Sequence, residues 1–273
     1  MSVKKDPSGR RSIAVEVEVP GTPEQVWEAI ATGPGISSWF VPTELEGRVG
    51  GKMVCHFAPG MDSDATITAW EPPHRLTADS KDFAPGAPTM ATEWTVEARS
   101  GGKCLVRVVH SLFASTDDWD DQLEGTESGW PAFFRILRLY LAHFRGQGSA
   151  TFQLAGMAPG TATQIMEKLE SACGLSDVPI GQRQSTGAGA PSMTGVVEAV
   201  GQGNHPFKLL MLDSPAPGAA ILNVCPMGEQ AFISVAFYFY GDQAEAAVAK
   251  NQPLWNKWMQ EHFGAPGEAS NVA

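Results

Sequence analysis

Long apolar runs are missing from this chain of 273 residues: no stretch approaches the roughly 18 needed for a membrane span. Cysteine is scarce as well. Cys55, Cys104, Cys173 and Cys225 are scattered and form no C-x-x-C pair, so a disulfide framework and a zinc ribbon are both excluded. Cys55 and Cys104 alternate with apolar neighbours, the pattern of reduced thiols buried on strands. Basic clusters are confined to Lys4-Lys5 and Arg10-Arg11, against a net charge of -11, which argues against nucleic-acid binding. There is no G-x-S-x-G elbow, P-loop, G-x-G-x-x-G or H-x-x-x-H, and Gly201-Gln202-Gly203 runs into a turn at Asn204-His205-Pro206. Nucleophilic, nucleotide and metal chemistry therefore lack support, and no cofactor is expected. Residues 1–12 are basic and polar without the apolar stretch of a signal peptide, so a cytoplasmic protein is expected.

What is present is a regular alternation of turns with short apolar segments. Ile13, Val15, Val17 and Val19 alternate with Glu16 and Glu18 as on a half-buried strand. Thr22 then caps a helix that starts at Pro23 and ends at Gly33. Strands are predicted over 41–46, 52–57, 65–70, 75–80, 89–98 and 103–112, separated by turn residues such as Gly50-Gly51 and Pro72-Pro73. Asp117 to Asp121 is an acidic helix start, suited to the positive end of the helix dipole or to docking a basic partner. From there to Arg145, residues Trp130, Phe134, Leu137, Leu141 and Phe144 recur at helical spacing.

The remainder passes through the same order again in shorter form: a strand over 151–155, a helix over 159–173 closed by Gly174, a loop over 183–192, four strands over 194–240 and a closing helix over 242–263. Trp255 and Trp258 on that helix suit core packing or an interface. The expected fold is α+β, a curved antiparallel sheet wrapped on a long C-terminal helix, with a second, smaller, degenerate copy. The expected divisions are a disordered tail over 1–11, the first domain over 12–148, the second over 149–264 and a tail over 265–273.

Pro23-Glu24-Gln25-Val26-Trp27, Trp39-Phe40, Gly50-Gly51, Glu71-Pro72-Pro73, Trp94 and the Val106 to His110 strand together resemble the START-related helix-grip superfamily (SRPBCC, Bet v 1-like). Within it they are most similar to proteins resembling the activator of heat-shock protein 90 ATPase. The resemblance covers about residues 12–148; the second half has no V-W helix, W-F pair or E-P-P. It implies an apolar cavity between sheet and helix, and no single activity. A hydrophobic small molecule, lipid or polyketide-like, is the expected partner, with a chaperone ATPase as the alternative.

With charged residues placed outward, strand alternation turns Trp94 on one strand and Val106, Val108 and His110 on the next toward that cavity. Met53, Cys55 and Phe57 form one stripe of their strand, and Phe134, Leu137 and Leu141 would roof the space. These ten residues are the expected ligand-binding set; the same stripes also suit a packed core. His110 could orient a ligand, move a proton, or simply be satisfied by hydrogen bonds. A cyclase or isomerase built on it would need a carboxylate or tyrosine, and Tyr140 is the first domain's one tyrosine. His56 and Cys55 point to opposite faces of their strand and cannot form a nucleophile pair.

Overall fold

The computed structural model describes residues 3–57, 62–81 and 86–263, in two compact units, Met1–Arg145 and Gly146–Ala273. The first unit opens with β1 (Lys4–Lys5) and β2 (Arg10–Pro20), then α1 (Pro23–Ala31) and α2 (Gly33–Ser37). Six strands follow, β3 (Thr43–Leu45), β4 (Lys52–His56), β5 (Asp62–Glu71), β6 (Arg75–Ser80), β7 (Met90–Arg99) and β8 (Lys103–Phe113). The long helix α3 (Asp120–Leu139) closes the unit, its last turn widened to a π-helical turn at Tyr140–Phe144. The sheet has eight strands in the order β1-β2-β8-β7-β6-β5-β4-β3, every neighbour antiparallel. The first long strand thus pairs with the last, from Arg10↔Phe113 to Pro20↔Lys103, and the others form a meander between them.

Local chemistry sets the entry helices. Thr22 accepts from the Gln25 N–H while the Gln25 side chain accepts from the Thr22 N–H, a reciprocal capping box with Pro23 at the first helical position. The break at Gly33-Pro34-Gly35 lets α2 fold against α1. A Cβ on Gly35 would lie 2.0 Å from the Glu28 carbonyl oxygen, so only glycine fits there. Gly51 is constrained in the same way, 2.2 Å from the Glu46 oxygen, where the chain turns into β4.

Residues 3–11, expected as part of a disordered tail, are instead built into the sheet's edge. Val3 is buried, β1 pairs with β2 through Lys4↔Ser12 and Lys5↔Arg11, and β2 starts at Arg10. The cause is charge pairing with the acidic run. Arg11 meets Asp117 and Asp120 at 2.6 Å, and Lys5 meets the same two carboxylates at 3.0 and 2.9 Å. Two of the aspartates read as solvated or partner-facing are thereby paired within the unit, Asp120 largely covered and Asp117 still exposed to solvent.

The second unit repeats the topology with fewer strands: β9 (Ser149–Pro159), α4 (Ala162–Cys173), β10 (Arg183–Ser185), β11 (Thr194–Gly201), β12 (Phe207–Ser214), β13 (Gly218–Met227), β14 (Gln230–Tyr240) and α5 (Ala244–Phe263). Its six-stranded sheet runs β10-β11-β12-β13-β14-β9, so here too the first long strand pairs with the last. The fold is therefore α+β, a helix-grip unit followed by a smaller copy. β9 runs well past the predicted strand because its inward positions after Leu154 are Gly156 and Ala158, too small to show an alternation. The stretch predicted as loop begins with β10, tied to β11 and by the Arg183–Asp213 ion pair. Trp255 and Trp258 belong to this unit's own core, with Trp255 against Phe237 and the Trp258 Nε1–H donating to the Gly189 oxygen at 2.9 Å. Residues 265–273 lie outside the described ones.

Candidate functional site

The first unit contains an open-mouthed cavity of about 520 Å³ between its sheet and the stretch of α3 from Gly125 to Phe133. Five adjacent strands supply the floor: Met53 and Cys55 from β4, Ser63 and Ala65 from β5, Leu76, Ala78 and Ser80 from β6, Met90, Thr92 and Trp94 from β7, and His110 from β8. The register explains this, since Leu76↔Trp94, Ala78↔Thr92 and Thr92↔His110 are cross-strand pairs whose side chains share a face. Ile30, Ile36, Trp39 and Phe40 form the end wall, and Gly125, Thr126, Gly129, Trp130 and Phe133 the roof.

The end wall is held rigidly by packing. Trp39 is almost fully buried, and its Nε1–H donates to the Ala29 oxygen at 2.9 Å. Phe40 stacks on Trp130 at 5.3 Å between ring centroids and meets Phe133 and Phe57 edge-on at 4.6 and 5.6 Å. Trp94 stands edge-on to both Trp39 and Trp130. No lysine or arginine is among the described lining residues.

Of the residues expected to line the space, Met53, Cys55, Phe57, Trp94 and His110 do so. Val106, Val108, Phe134, Leu137 and Leu141 do not. All five are buried as core, where α3 packs against the sheet, with Phe134 behind Trp94 and Trp130. The roof instead comes from earlier turns of the helix, where Gly125 and Gly129 carry no side chain to fill the gap. Gly125, Gly129 and Phe133 lie at i, i+4 and i+8 on one helix face. Thr92 sits two residues before Trp94 on the same strand face, so alternation could have found it; the helical glycines were signalled only by their spacing.

His110 lies in the cavity wall with both ring nitrogens engaged. Trp130 Nε1–H donates to Nε2 at 2.9 Å, and Thr92 Oγ1 lies 2.9 Å from Nδ1. Burial pushes the imidazole pKa down to about 4, so it is neutral at physiological pH. With its lone pair committed to Trp130, it is poorly placed to abstract a proton. Tyr140 is buried in the π-helical turn and does not line the cavity. Among the described residues the one lining carboxylate is Asp62, which lies 2.9 Å from His56 Nδ1 and raises that outward-facing imidazole's pKa. Burial raises the Cys55 thiol pKa, partly offset by the Thr43 hydroxyl at 3.5 Å, which keeps it protonated. Among the described residues no group of three or more His, Cys, Asp or Glu side chains could hold a metal ion, and no helix is long and apolar enough to cross a membrane.

A curved antiparallel sheet, a long helix across it and an apolar cavity between the two define a helix-grip domain. The family model described as Activator of Hsp90 ATPase homolog 1-like protein matches residues 20–142, so the first unit carries the resemblance read from its motifs. Among solved structures, CalU16 from Micromonospora echinospora is 22% identical, over 52% of this chain and 83% of its own, with a TM-score of 0.42. The Aha1 dimer from Colwellia psychrerythraea is 20% identical over 48% of this chain and 95% of its own, at a TM-score of 0.40. DynU16, a protein in the dynemicin biosynthetic locus, is 15% identical over 93% of this chain and 94% of its own, at a TM-score of 0.43. No curated protein matches the chain.

Proposed function

We propose that the first unit binds a hydrophobic small molecule, lipid or polyketide-like, in this cavity and does no chemistry on it. The observation that carries the reading is the cavity itself. Its volume of about 520 Å³ lies in the range of small-molecule sites, and its walls are apolar and aromatic with a few fixed polar groups. The absence of lysine and arginine from the described lining favours an uncharged occupant, because a buried anion would have no counter-charge. Incubating the protein with a lipid and polyketide library, followed by native mass spectrometry, tests the proposal. Retention of one chemical class by the intact chain is expected, and a protein that retains nothing would overturn the reading.

A second reading, a module that regulates a chaperone ATPase, is supported by the family description. Adding the protein to a purified ATPase chaperone of the Hsp90 type would decide it: a changed ATPase rate supports that role, and an unchanged rate removes it.

A further inference from the structure

The hydroxyls around the cavity differ in where their protons go. Ser80 Oγ–H donates to the Asp64 oxygen at 2.8 Å, and Thr126 Oγ1–H to the Gln122 oxygen at 2.9 Å. Thr92 is arranged otherwise. An indole N–H can only donate, so Trp130 requires the lone pair of His110 to sit on Nε2. A neutral imidazole then carries its single proton on Nδ1, and the only direction in which that proton can be shared is toward Thr92 Oγ1, 2.9 Å away. The Thr92 oxygen is thus an acceptor for His110, and its own hydrogen has no protein acceptor among the described residues. Since Thr92 lines the cavity, the hydrogen is available to whatever fills it. Ser63 also lines the space, but among the described residues no hydrogen bond fixes its rotor, and it stands beside the exposed Asp62.

We propose that Thr92 is a specificity-determining donor: its hydroxyl, oriented by the Trp130–His110 chain, hydrogen-bonds the carbonyl oxygen of a neutral, planar conjugated ligand lying against Phe40, Trp94, Trp130 and Phe133. The inference rests on the cavity-binding reading above and names the ligand's chemistry. The lack of a lysine or arginine in the described lining disfavours an anion, the lining carboxylate Asp62 is already paired with His56, and the aromatic walls reward contact with a π-face, so the favoured ligand is neutral and planar. A ligand without an acceptor would leave the hydroxyl buried and unpaired, which is what makes the contact selective.

The test uses fluorenone and fluorene, which differ by a carbonyl in place of a methylene. Affinities are read from quenching of tryptophan fluorescence, and the carbonyl stretch of bound fluorenone is read by infrared spectroscopy. Wild type and Thr92→Ser are expected to bind fluorenone about tenfold more tightly than fluorene, with the stretch lowered by a hydrogen bond. In Thr92→Val a methyl group caps His110 Nδ1, and the preference and the lowered stretch should both disappear. Equal binding of the two compounds by wild type, or an unchanged preference in Thr92→Val, would overturn the assignment. If Thr92→Val does not fold, an unshifted stretch in wild type suffices to overturn it. Binding of neither compound would instead overturn the cavity-binding reading, and this inference with it.

Discussion

Replacing Gly129 by leucine puts an isobutyl group where nothing now stands. A Cβ added at Gly129 meets no atom within 4 Å, and the residue lies in the cavity roof midway along α3. Two effects add. Leucine is better than glycine in a helix interior by about 0.8–1.0 kcal/mol. Burying part of its side chain against Phe40 and Phe133 contributes about 1 kcal/mol more, at the low end for a half-exposed site. The variant should be more stable by about 2 kcal/mol, which for a domain of this size raises Tm by roughly 6 °C. It should also bind cavity ligands at least about tenfold more weakly, because the side chain occupies their space. Gly129→Ala serves as the control, recovering about 1 kcal/mol of helix propensity without blocking the site. Thermal unfolding followed by circular dichroism and a tryptophan-quenching titration with fluorenone measure both quantities. A lower Tm in Gly129→Leu would show an overpacked interior and refute the open cavity. A raised Tm with undiminished binding would place the ligand elsewhere.

Three further outcomes are expected. The native His110 imidazole titrates near 4, whereas in the unfolded chain it titrates near 6.5. Between those values the unfolded state holds the extra proton, so stability falls as pH drops from about 6.5 to about 4, by about 3 kcal/mol in all. His110→Gln can keep both hydrogen bonds without titrating, and chemical denaturation across that range should lose this slope; an unchanged slope would mean the imidazole is not buried neutral. Hydrogen bonds from Lys5 and Arg11 lower the Asp117 pKa, and at Asp120 they outweigh the burial that raises it. Their stabilisation is full above the unfolded carboxylate value near 3.9 and is lost as pH falls through the depressed native values. Arg11→Met should therefore lower Tm at pH 7 and matter much less near pH 2; a deficit independent of pH would refute the ion-pair origin. In the second unit Lys208 is almost fully buried and reaches Glu170 Oε1 at 2.9 Å and the Leu175 oxygen at 2.6 Å. Lys208→Met should destabilise that unit by about 3 kcal/mol in urea unfolding, and Glu170→Leu added to it should recover much of the loss; a single-variant effect below about 1 kcal/mol would contradict this.

Most strands and helices of both units were legible because their inward positions carry large apolar side chains; the short β1 and β10, which carry none, were not. Where those positions are small, as at Gly156 and Ala158, the strand ran on unseen. The N-terminal tail was misread because Arg11 and Asp117 are 106 residues apart, and neither reveals its partner locally. The same separation hid the cavity's true extent. Alternation shows that Val106 and His110 share a face, but only the path of α3 over the sheet decides which is covered by side chains and which by glycine. Inverting the usual search, for the gap in an apolar helix face rather than its largest residues, would have pointed to Gly125 and Gly129. The role of His110 needed the indole of Trp130, since only a donor-only partner settles where the imidazole proton sits.

The indole N–H signals of the full-length protein, followed by nuclear magnetic resonance while fluorenone is added, test cavity binding most directly. Signals of Trp94 and Trp130, which line the space, should shift on binding, and those of Trp255 and Trp258 in the second unit should stay in place. Shifts confined to Trp255 and Trp258, or none at all at saturating ligand, would contradict a binding site in the first unit.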